Sequence, residues 1–267
     1  MTIQVGDVVA AMERLFPLET AESWDRVGLS VGDPSIPVSS VGFAVDPCEE
    51  SVQEAITRGA DMLITHHPLY LRGTHSVATT TAKGTWTSRL IKNDVALYTA
   101  HTNADVAVST LALAELLSVT LERPLDEASG IGGVGSIEPL TLREFGERVA
   151  AVIPEVPAGV LVGGDPERVV RRVAICSGSG DSLLGLANSS GADVYLTADL
   201  RHHPATDHLW NGGCALVSAT HWATEWPLLG HMRDRLLAEL TAVGVDAADL
   251  PDSYISDIPT DAWFARL

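Results

Sequence analysis

Hydrophobic and polar positions follow two periods along this chain, one typical of amphipathic helices and one typical of buried strands. Apolar side chains recur every three or four positions in residues 5–16, which predicts a helix that Pro17 ends. Residues 61–65 and 95–100 are short, almost wholly apolar runs, and each predicts a buried strand. The other elements predicted in this half are a strand at 39–45 and helices at 49–58, 85–93 and 110–121. This alternation favours a mostly parallel sheet with helices on both faces.

A second series of the same kind follows a glycine-rich stretch. Residues 128–135 carry no charged side chain, so this stretch is the best candidate for a boundary between two lobes. Beyond it, the pattern predicts helices at 142–152, 181–188 and 225–240, and strands at 169–176, 192–197 and 214–219. We therefore predict the α/β class, with two α/β lobes of mostly parallel sheets that span residues 1–127 and 128–267.

Histidines stand directly after three of the predicted apolar strands: His66 and His67 after one, and His101 and His221 after two others. Residues just beyond the carboxyl ends of parallel strands gather in one crevice of an α/β sheet. The fold alone would therefore bring these side chains together, although they are far apart in the sequence. A single histidine at the end of a strand is more often a structural, hydrogen-bonded residue, and for each one taken alone that alternative stays open.

Two of these histidines are followed by a carboxylate four positions later. Asp105 follows His101 and Glu225 follows His221, and positions i and i+4 share one face if a helix begins there. Imidazole suits zinc, iron and manganese, and carboxylates can bridge two cations. Two metals about 3.5–4 Å apart need roughly six ligands with shared oxygens. The pattern therefore indicates a pair of divalent metal ions held by histidines and carboxylates.

Composition narrows the classes of partner. The formal net charge is -18, and no cluster of Lys and Arg is present, so nucleic acid and anionic membranes are not expected as partners. The cysteines Cys48, Cys176 and Cys214 form no CxxC pair, which excludes a thiolate zinc knuckle and disfavours a disulfide framework. The chain shows no signal peptide at its start and no apolar run of about 18 residues. We therefore expect a cytoplasmic protein.

Six motifs spread nearly from end to end resemble those of a known family. They are AESWDRVGL (21–29), DMLITHHP (61–68), AHTNAD (100–105), VAICSGSG (173–180), ADVYLTAD (192–199) and HWATE (221–225). Each motif alone is modest, but the six in this order are specific. They resemble the Nif-three-like metal-binding proteins, a family that includes the bacterial YbgI group and carries the name GTP cyclohydrolase I type 2.

The resemblance implies two divalent metal ions per subunit, zinc, iron or manganese, in the cleft between the two lobes. The family's ligands fall on His66, His67, Asp105, His221 and Glu225. His101 matches a position that is a ligand in at least some members. The resemblance also implies a ring-shaped homohexamer whose metal sites face an inner cavity. This chain is too short for the large domain that some members carry between the halves.

Some positions depart from the family's pattern. Gly133 stands where Arg is usual, and Ala198 and Thr220 stand where Gly is usual. None of these is a proposed ligand, so they affect only the surroundings of the site. Asp199, His202 and His203 form a further polar group. The resemblance places Asp199 and His203 near the site, and a solvated loop explains the group equally well.

The function that these inferences favour is a metal-dependent hydrolase. A histidine that is not fully engaged by metal, His101 by preference, would shuttle protons, and Glu225 or Asp105 would bridge or position the metals. The family name implies opening of the purine ring of GTP, but nothing in this sequence selects guanine, and a phosphoester or cyclic amide would suit the same residues. The alternative is a metal-binding or scaffold protein without turnover. The segment at 177–180, Ser-Gly-Ser-Gly, is read as a tight turn rather than an anion cradle, because it lacks the lysine of a P-loop.

Overall fold

The computed structural model describes residues 2–267, and contacts within the chain divide it into two units. The first unit contains the chain up to Ala107 and the segment Leu229–Thr260. The second unit contains Val108–Leu228 and Asp261–Leu267. The chain therefore passes between the units three times. The predicted division into lobes at residues 127 and 128 stays a prediction.

The first unit begins with alternating helices and strands. They are α1 (Val5–Leu15), β1 (Gly28–Val31), β2 (Ser40–Ala44), α2 (Glu49–Arg58), β3 (Met62–Thr65), α3 (Ala82–Lys92), β4 (Ala96–Thr99) and the short α4 (Thr102–Ala104). A π-helical turn, Asp105–Ser109, follows α4 and leads out of this unit.

The second unit is built from the next eleven elements. They are α5 (Thr110–Leu116), β5 (Thr120–Arg123), β6 (Gly133–Thr141), α6 (Leu142–Val152), β7 (Leu161–Gly163), β8 (Val169–Ser179), α7 (Leu184–Ser189), β9 (Val194–Ala198), α8 (His202–Trp210), β10 (Ala215–Ala219) and α9 (His221–Glu225). The chain then forms α10 (Leu228–Ala242) and β11 (Asp252–Ile255). Among residues 2–267, no helix combines the length and the apolar character that crossing a membrane requires.

The sheet of the first unit has the strand order β1-β4-β3-β2-β11. All neighbours in it are parallel except β1 and β4. Strands β3 and β4 are buried along their whole length, and Leu63 and Leu97, which lie opposite each other, pack in one hydrophobic cluster with residues of α2 and α3. The carboxyl ends of β3 and β4 lie side by side, with Thr65 opposite Thr99, so the residues that follow them are neighbours.

The sheet of the second unit has the order β5-β6-β8-β9-β10-β7. Its central strands β8, β9 and β10 are parallel, and the outer pairings are antiparallel. The carboxyl ends of the three parallel strands lie at one edge, which is where α/β sheets carry their sites. The predicted α/β class with two sheets and covering helices is confirmed. The first sheet is mostly parallel, as predicted, whereas the second is mixed, because its three outer pairings are antiparallel.

Local chemistry explains where several elements begin and end. Helix α2 ends at Gly59, which adopts the left-handed conformation that favours glycine. Helix α6 begins at a capping box, in which Thr141 and Glu144 each accept a hydrogen bond from the backbone N–H of the other. Both helices have the bounds that the sequence pattern predicts.

Several predicted features differ from the structure. The helix predicted at 110–121 is wrong in its last part, because the left-handed backbone of Ser118 ends it and Thr120–Arg123 forms β5. The glycine-rich stretch runs directly into β6 at Gly133. Gly135 is needed inside that strand, since a Cβ there would lie 2.3 Å from the Thr120 carbonyl oxygen.

The helix predicted at 225–240 is two helices in the structure. The first, α9, begins at His221, and the second, α10, begins at Leu228. Pro227 stands between them, and a proline has no N–H with which to continue the backbone hydrogen bonds of a helix.

Candidate metal centre

The first unit brings together the three histidines that follow β3 and β4. One ring nitrogen from each of His66, His67 and His101 lies within 4.8 Å of the others, a spacing at which they could hold a metal ion. The ring centroids are 5.0 to 5.3 Å apart. His66 is fully buried, whereas His67 and His101 are partly exposed. We call these three residues and Asp105 the first ligand cluster.

Hydrogen bonds fix the orientation of His66 and His67. The Nδ1 of His66 lies 3.0 Å from the Ala100 carbonyl oxygen, and the Nδ1 of His67 lies 2.7 Å from Asp46 Oδ1. A carbonyl oxygen only accepts, so Nδ1 of His66 carries the proton and donates it. An ionised carboxylate also only accepts, and the same assignment follows for His67. In both rings Nε2 is therefore the nitrogen that would bind a metal.

His101 has the same arrangement, with Asp25 behind it. Its Nδ1 lies 2.8 Å from Asp25 Oδ1, and the other carboxylate oxygen accepts hydrogen bonds from the Thr102 hydroxyl and backbone N–H. Burial raises the pKa of Asp25, but the hydrogen bonds from His101 and Thr102 outweigh it and hold that pKa well below its usual range. Asp25 is therefore an ionised, anchored carboxylate that orients His101.

Asp105 completes the first ligand cluster from the chain that follows His101. Its backbone N–H donates to the His101 carbonyl oxygen at 2.9 Å, so one helical turn separates the two residues, as their spacing predicts. Its Oδ1 lies 3.5 Å from His66 Nε2. The carboxylate of Asp105 thus lies close to His66 Nε2, the nitrogen of the buried imidazole that would bind a metal.

The second unit carries His221 and Glu225 on α9, and we call them the second ligand cluster. His221 Nε2 lies 2.9 Å from Glu225 Oε1, so the predicted i and i+4 positions do share one face. Glu225 is only 3% exposed. The Nδ1 of His221 lies 2.6 Å from Asp199 Oδ2, so a carboxylate again holds the ring from behind. Asp199 stands just after β9 with a positive φ of 54°.

Gly178 is a residue of the second unit whose importance the sequence pattern did not indicate. Strand β8 continues through Ser179, with a shift of register against β9, where a tight turn was expected. Gly178 has a φ of +64°, and its N–H donates to the Thr224 hydroxyl at 2.9 Å. A Cβ at this position would lie 2.2 Å from Glu225 Oε1 and 3.2 Å from His221 Nε2. The backbone therefore leaves a cradle for the second ligand cluster that only glycine permits.

The other polar group predicted near the site is divided in the structure. Asp199 contacts His221, as described above, and belongs beside the second ligand cluster. His202 and His203 stand at the start of α8 with exposed side chains, and their ring centroids are 5.1 Å apart.

Asp46 is a partner of His67 that the sequence analysis did not identify, although its position after a predicted strand could have indicated it. Asp46 stands just beyond the carboxyl end of β2, as His66 stands beyond β3 and Asp199 beyond β9. The rule that identified the histidines therefore also applies to these carboxylates. Asp25 follows no strand, and no pattern in the sequence points to its contact with His101.

The donor chemistry of both clusters fits a divalent metal. All four imidazoles have Nδ1 engaged by a carbonyl or carboxylate oxygen, which is how metal-binding histidines are usually held. Nitrogen and carboxylate donors together suit zinc, iron and manganese. The residues present are therefore compatible with resident metal ions, and the molecule is an α/β protein with histidine and carboxylate groups that could hold a metal.

Comparison with known proteins identifies the family. Residues 3–251 match the family described as Duf34/NIF3 (NGG1p interacting factor 3), and the chain belongs to it. A Streptomyces coelicolor protein named GTP cyclohydrolase 1 type 2 homolog is 49% identical, over 99% of this chain and 95% of that protein.

Solved structures agree in fold. A Bacillus cereus protein related to NIF3 superposes with a TM-score of 0.89 at 23% identity, and 99% of each chain is covered. A Staphylococcus aureus hypothetical protein superposes with a TM-score of 0.86 at 26% identity, over 98% of this chain and 99% of that one. The family resemblance inferred from the six motifs is thus confirmed.

Proposed function

We propose that the two ligand clusters together hold a pair of divalent metal ions and that the protein is a metal-dependent hydrolase. The observation that carries this proposal is the common orientation of His66, His67, His101 and His221, each held at Nδ1 so that Nε2 would bind the metal. Four rings that are held in this way match the usual arrangement of metal-binding histidines. The proposed ligands are His66, His67, His101, Asp105, His221 and Glu225.

The course of the chain supports joining the two clusters in one site. The three crossings between the units lie at residues 107–108, 228–229 and 260–261. The first crossing comes shortly after Asp105 and the second shortly after Glu225. A member of each ligand cluster therefore lies close in the sequence to a point where the chain passes from one unit to the other. Neither cluster alone supplies the roughly six donors that two ions require.

The proposed chemistry divides between the metals and the side chains. When bound, the two ions would polarise the attacked centre and lower the pKa of an attacking water. His101 has two alternative roles: either its Nε2 binds a metal, or that nitrogen stays free of metal and accepts and returns a proton, with the ring oriented by Asp25 at Nδ1. Glu225 would bridge or position the metals, since its carboxylate is buried and held against His221 and Gly178.

The proposed substrate is a small molecule with a hydrolysable centre, and GTP is the first to test. The name of the Streptomyces coelicolor relative supports this choice. Trp24 supports it too, because its side chain is 51% exposed and its ring centroid lies 6.0 Å from that of His101. An exposed indole offers a flat apolar face on which a purine can stack.

Release of formate from GTP tests the proposal that the protein hydrolyses GTP. Purified protein is stripped of metal, loaded with zinc, iron or manganese, and incubated with GTP, and the Trp24→Ala variant is treated in parallel. We expect formate with at least one metal, and a raised KM for the variant. Absence of formate with every metal would exclude the GTP version.

The second candidate function is a metal-binding or scaffold protein without turnover. Burial favours it, because His66 is 0% and Glu225 3% exposed, and structural metal sites are closed whereas catalytic sites keep an open position. The proton relaxation rate of bulk water, measured on a manganese-loaded sample, shows whether water on the bound ions exchanges with solvent. Two tightly bound ions without exchangeable water would support this candidate against the hydrolase.

The family resemblance also supports a homohexamer that works in the cytoplasm. Sedimentation velocity of the purified chain tests the oligomeric state. We expect one species with six times the mass of the chain, and a stable monomer or dimer would contradict it.

A further inference from the structure

We propose that Thr260 and Asp261 form a positioning strap, which holds both ligand clusters from behind and keeps them in register for the metal pair. These are consecutive residues near the end of the chain, and neither belongs to the proposed ligands. The inference rests on the proposed function, because the strap acts on metal binding.

Thr260 acts on the first ligand cluster through Asp46. Its hydroxyl donates to Asp46 Oδ2, while Oδ1 of the same carboxylate lies 2.7 Å from His67 Nδ1. The Asp46 main chain is fixed separately, because its carbonyl oxygen accepts from the Ser51 hydroxyl at 2.6 Å. The contact with Thr260 therefore limits rotation of the carboxylate group itself. With that rotation limited, the plane of the His67 ring is set.

Asp261 acts on the second ligand cluster through Thr220. The Thr220 hydroxyl donates to Asp261 Oδ2 at 2.6 Å and accepts from the Ala223 N–H at 3.4 Å. A hydroxyl has one proton, so giving it to Asp261 turns the oxygen lone pairs towards the N–H group. Thr220 is the N-cap of α9, the helix that carries His221 and Glu225. Asp261 thus stabilises the start of the helix on which both ligands stand.

Covalent continuity couples the two contacts. Thr260 is the last residue of the segment that belongs to the first unit, and Asp261 is the first of the final segment of the second unit. A trans peptide bond fixes their Cα atoms about 3.8 Å apart. A displacement of one cluster is therefore transmitted through the strap to the other. This third crossing of the chain consists of the two residues that support the ligands on either side.

The test measures affinity for zinc alone in the full-length protein, by competition with a chelator. The variants are Thr260→Val, Asp261→Ala and the double variant, which remove one or both of these hydrogen bonds. Loss of a group that supports a metal ligand costs about 10- to 100-fold in affinity, and we expect a loss of this size for each single variant. Thr260→Ser keeps the hydroxyl and should keep the wild-type affinity. Asp257→Asn removes an exposed carboxylate of the same segment and should also have no effect.

The double variant tests the coupling itself. If the strap works as one unit, breaking either end releases the other, so the double variant should lose little more affinity than a single one. Losses that multiply would contradict the coupling. Thermal unfolding of the metal-free proteins separates positioning from folding, since a positioning role predicts at most a small fall in melting temperature together with a much larger loss of zinc affinity. Equal losses of stability and affinity, without recovery in Thr260→Ser, would overturn the proposal.

The two proposals fail in different ways. If the wild-type protein binds no divalent metal, the proposed metal centre is refuted, and so is the proposed role of the strap. If the wild type binds two zinc ions and both single variants bind them with wild-type affinity, the strap alone is wrong.

Discussion

Replacing Gly178 with alanine is the most informative single change near the second ligand cluster. The new Cβ would lie 2.2 Å from Glu225 Oε1, whereas real contacts of a Cβ are not closer than 3.0 Å. The carboxylate must therefore move by about 0.8 Å. Metal–ligand distances tolerate only about 0.2 Å, so this displacement is several times too large for an unchanged site.

The substitution also strains the backbone, and the two effects have to be separated. Alanine in the left-handed conformation costs about 1–2 kcal/mol. Gly191 is a matched control in the same unit, because its φ is +75° and a Cβ there meets nothing within 4 Å. Gly191→Ala therefore carries the strain without the steric displacement. Both variants should lose a similar free energy of unfolding in thermal or denaturant titrations.

Only Gly178→Ala should lose metal. We expect its affinity for zinc to fall on the order of 100-fold, the upper end of what a disturbed supporting group costs, while Gly191→Ala binds like the wild type. Isothermal titration of the metal-free proteins measures both. Equal, wild-type zinc affinity in the two variants would refute the reasoning, because Glu225 would then not need its observed position to bind metal.

Three further predictions concern the ligands, their support and the fold. His66→Ala and Glu225→Ala should each abolish stoichiometric metal without unfolding the protein, and elemental analysis that still finds two ions per chain would show that the ligands are wrong. Asp199→Ala should weaken zinc binding about 10- to 100-fold. Asp199→Asn should weaken it less, since an amide oxygen still accepts a hydrogen bond from His221. Identical losses of zinc affinity in the two variants would exclude a positioning role for Asp199. Thr141→Ala should cost about 1 kcal/mol through the lost cap of α6. Hydrogen bonds from the Thr141 backbone and hydroxyl lower the pKa of Glu144, so their contribution is present above its ordinary pKa and is lost as pH falls below it. The bond from the Glu144 N–H to the Thr141 hydroxyl does not titrate. The difference in stability between wild type and variant should therefore narrow at acid pH without vanishing, and a constant difference would contradict this.

The histidines could be predicted because their signal is local and the fold supplies the rest. His66 and His101 follow wholly buried strands, and parallel neighbours place their carboxyl ends together whatever the loops do. Asp25 could not be predicted in the same way, because its contact with His101 depends on a segment outside regular structure. The sequence predicts a turn at Gly178, because a residue with left-handed backbone inside a strand does not change the hydrophobic periodicity.

Four of the strands that the sequence pattern missed share a physical reason. The edge strands β1, β7 and β5 are short, and β11 is a polar segment that pairs with β2 from the far end of the chain. Strands at an edge or near a terminus bury little side chain, so their alternation is weak. The helix predicted at 110–121 was too long because apolar residues continue into β5 at helical spacing, and only the backbone at Ser118 ends it.

The central claim is that the two ligand clusters hold one pair of metal ions. Anomalous diffraction from crystals grown with a single metal, zinc or manganese, tests it most directly. We expect two anomalous peaks about 3.5–4 Å apart, the separation found in paired-metal sites, with ligands from both clusters around them. A single peak bound by only one cluster, or two peaks each confined to its own cluster and far apart, would contradict the claim.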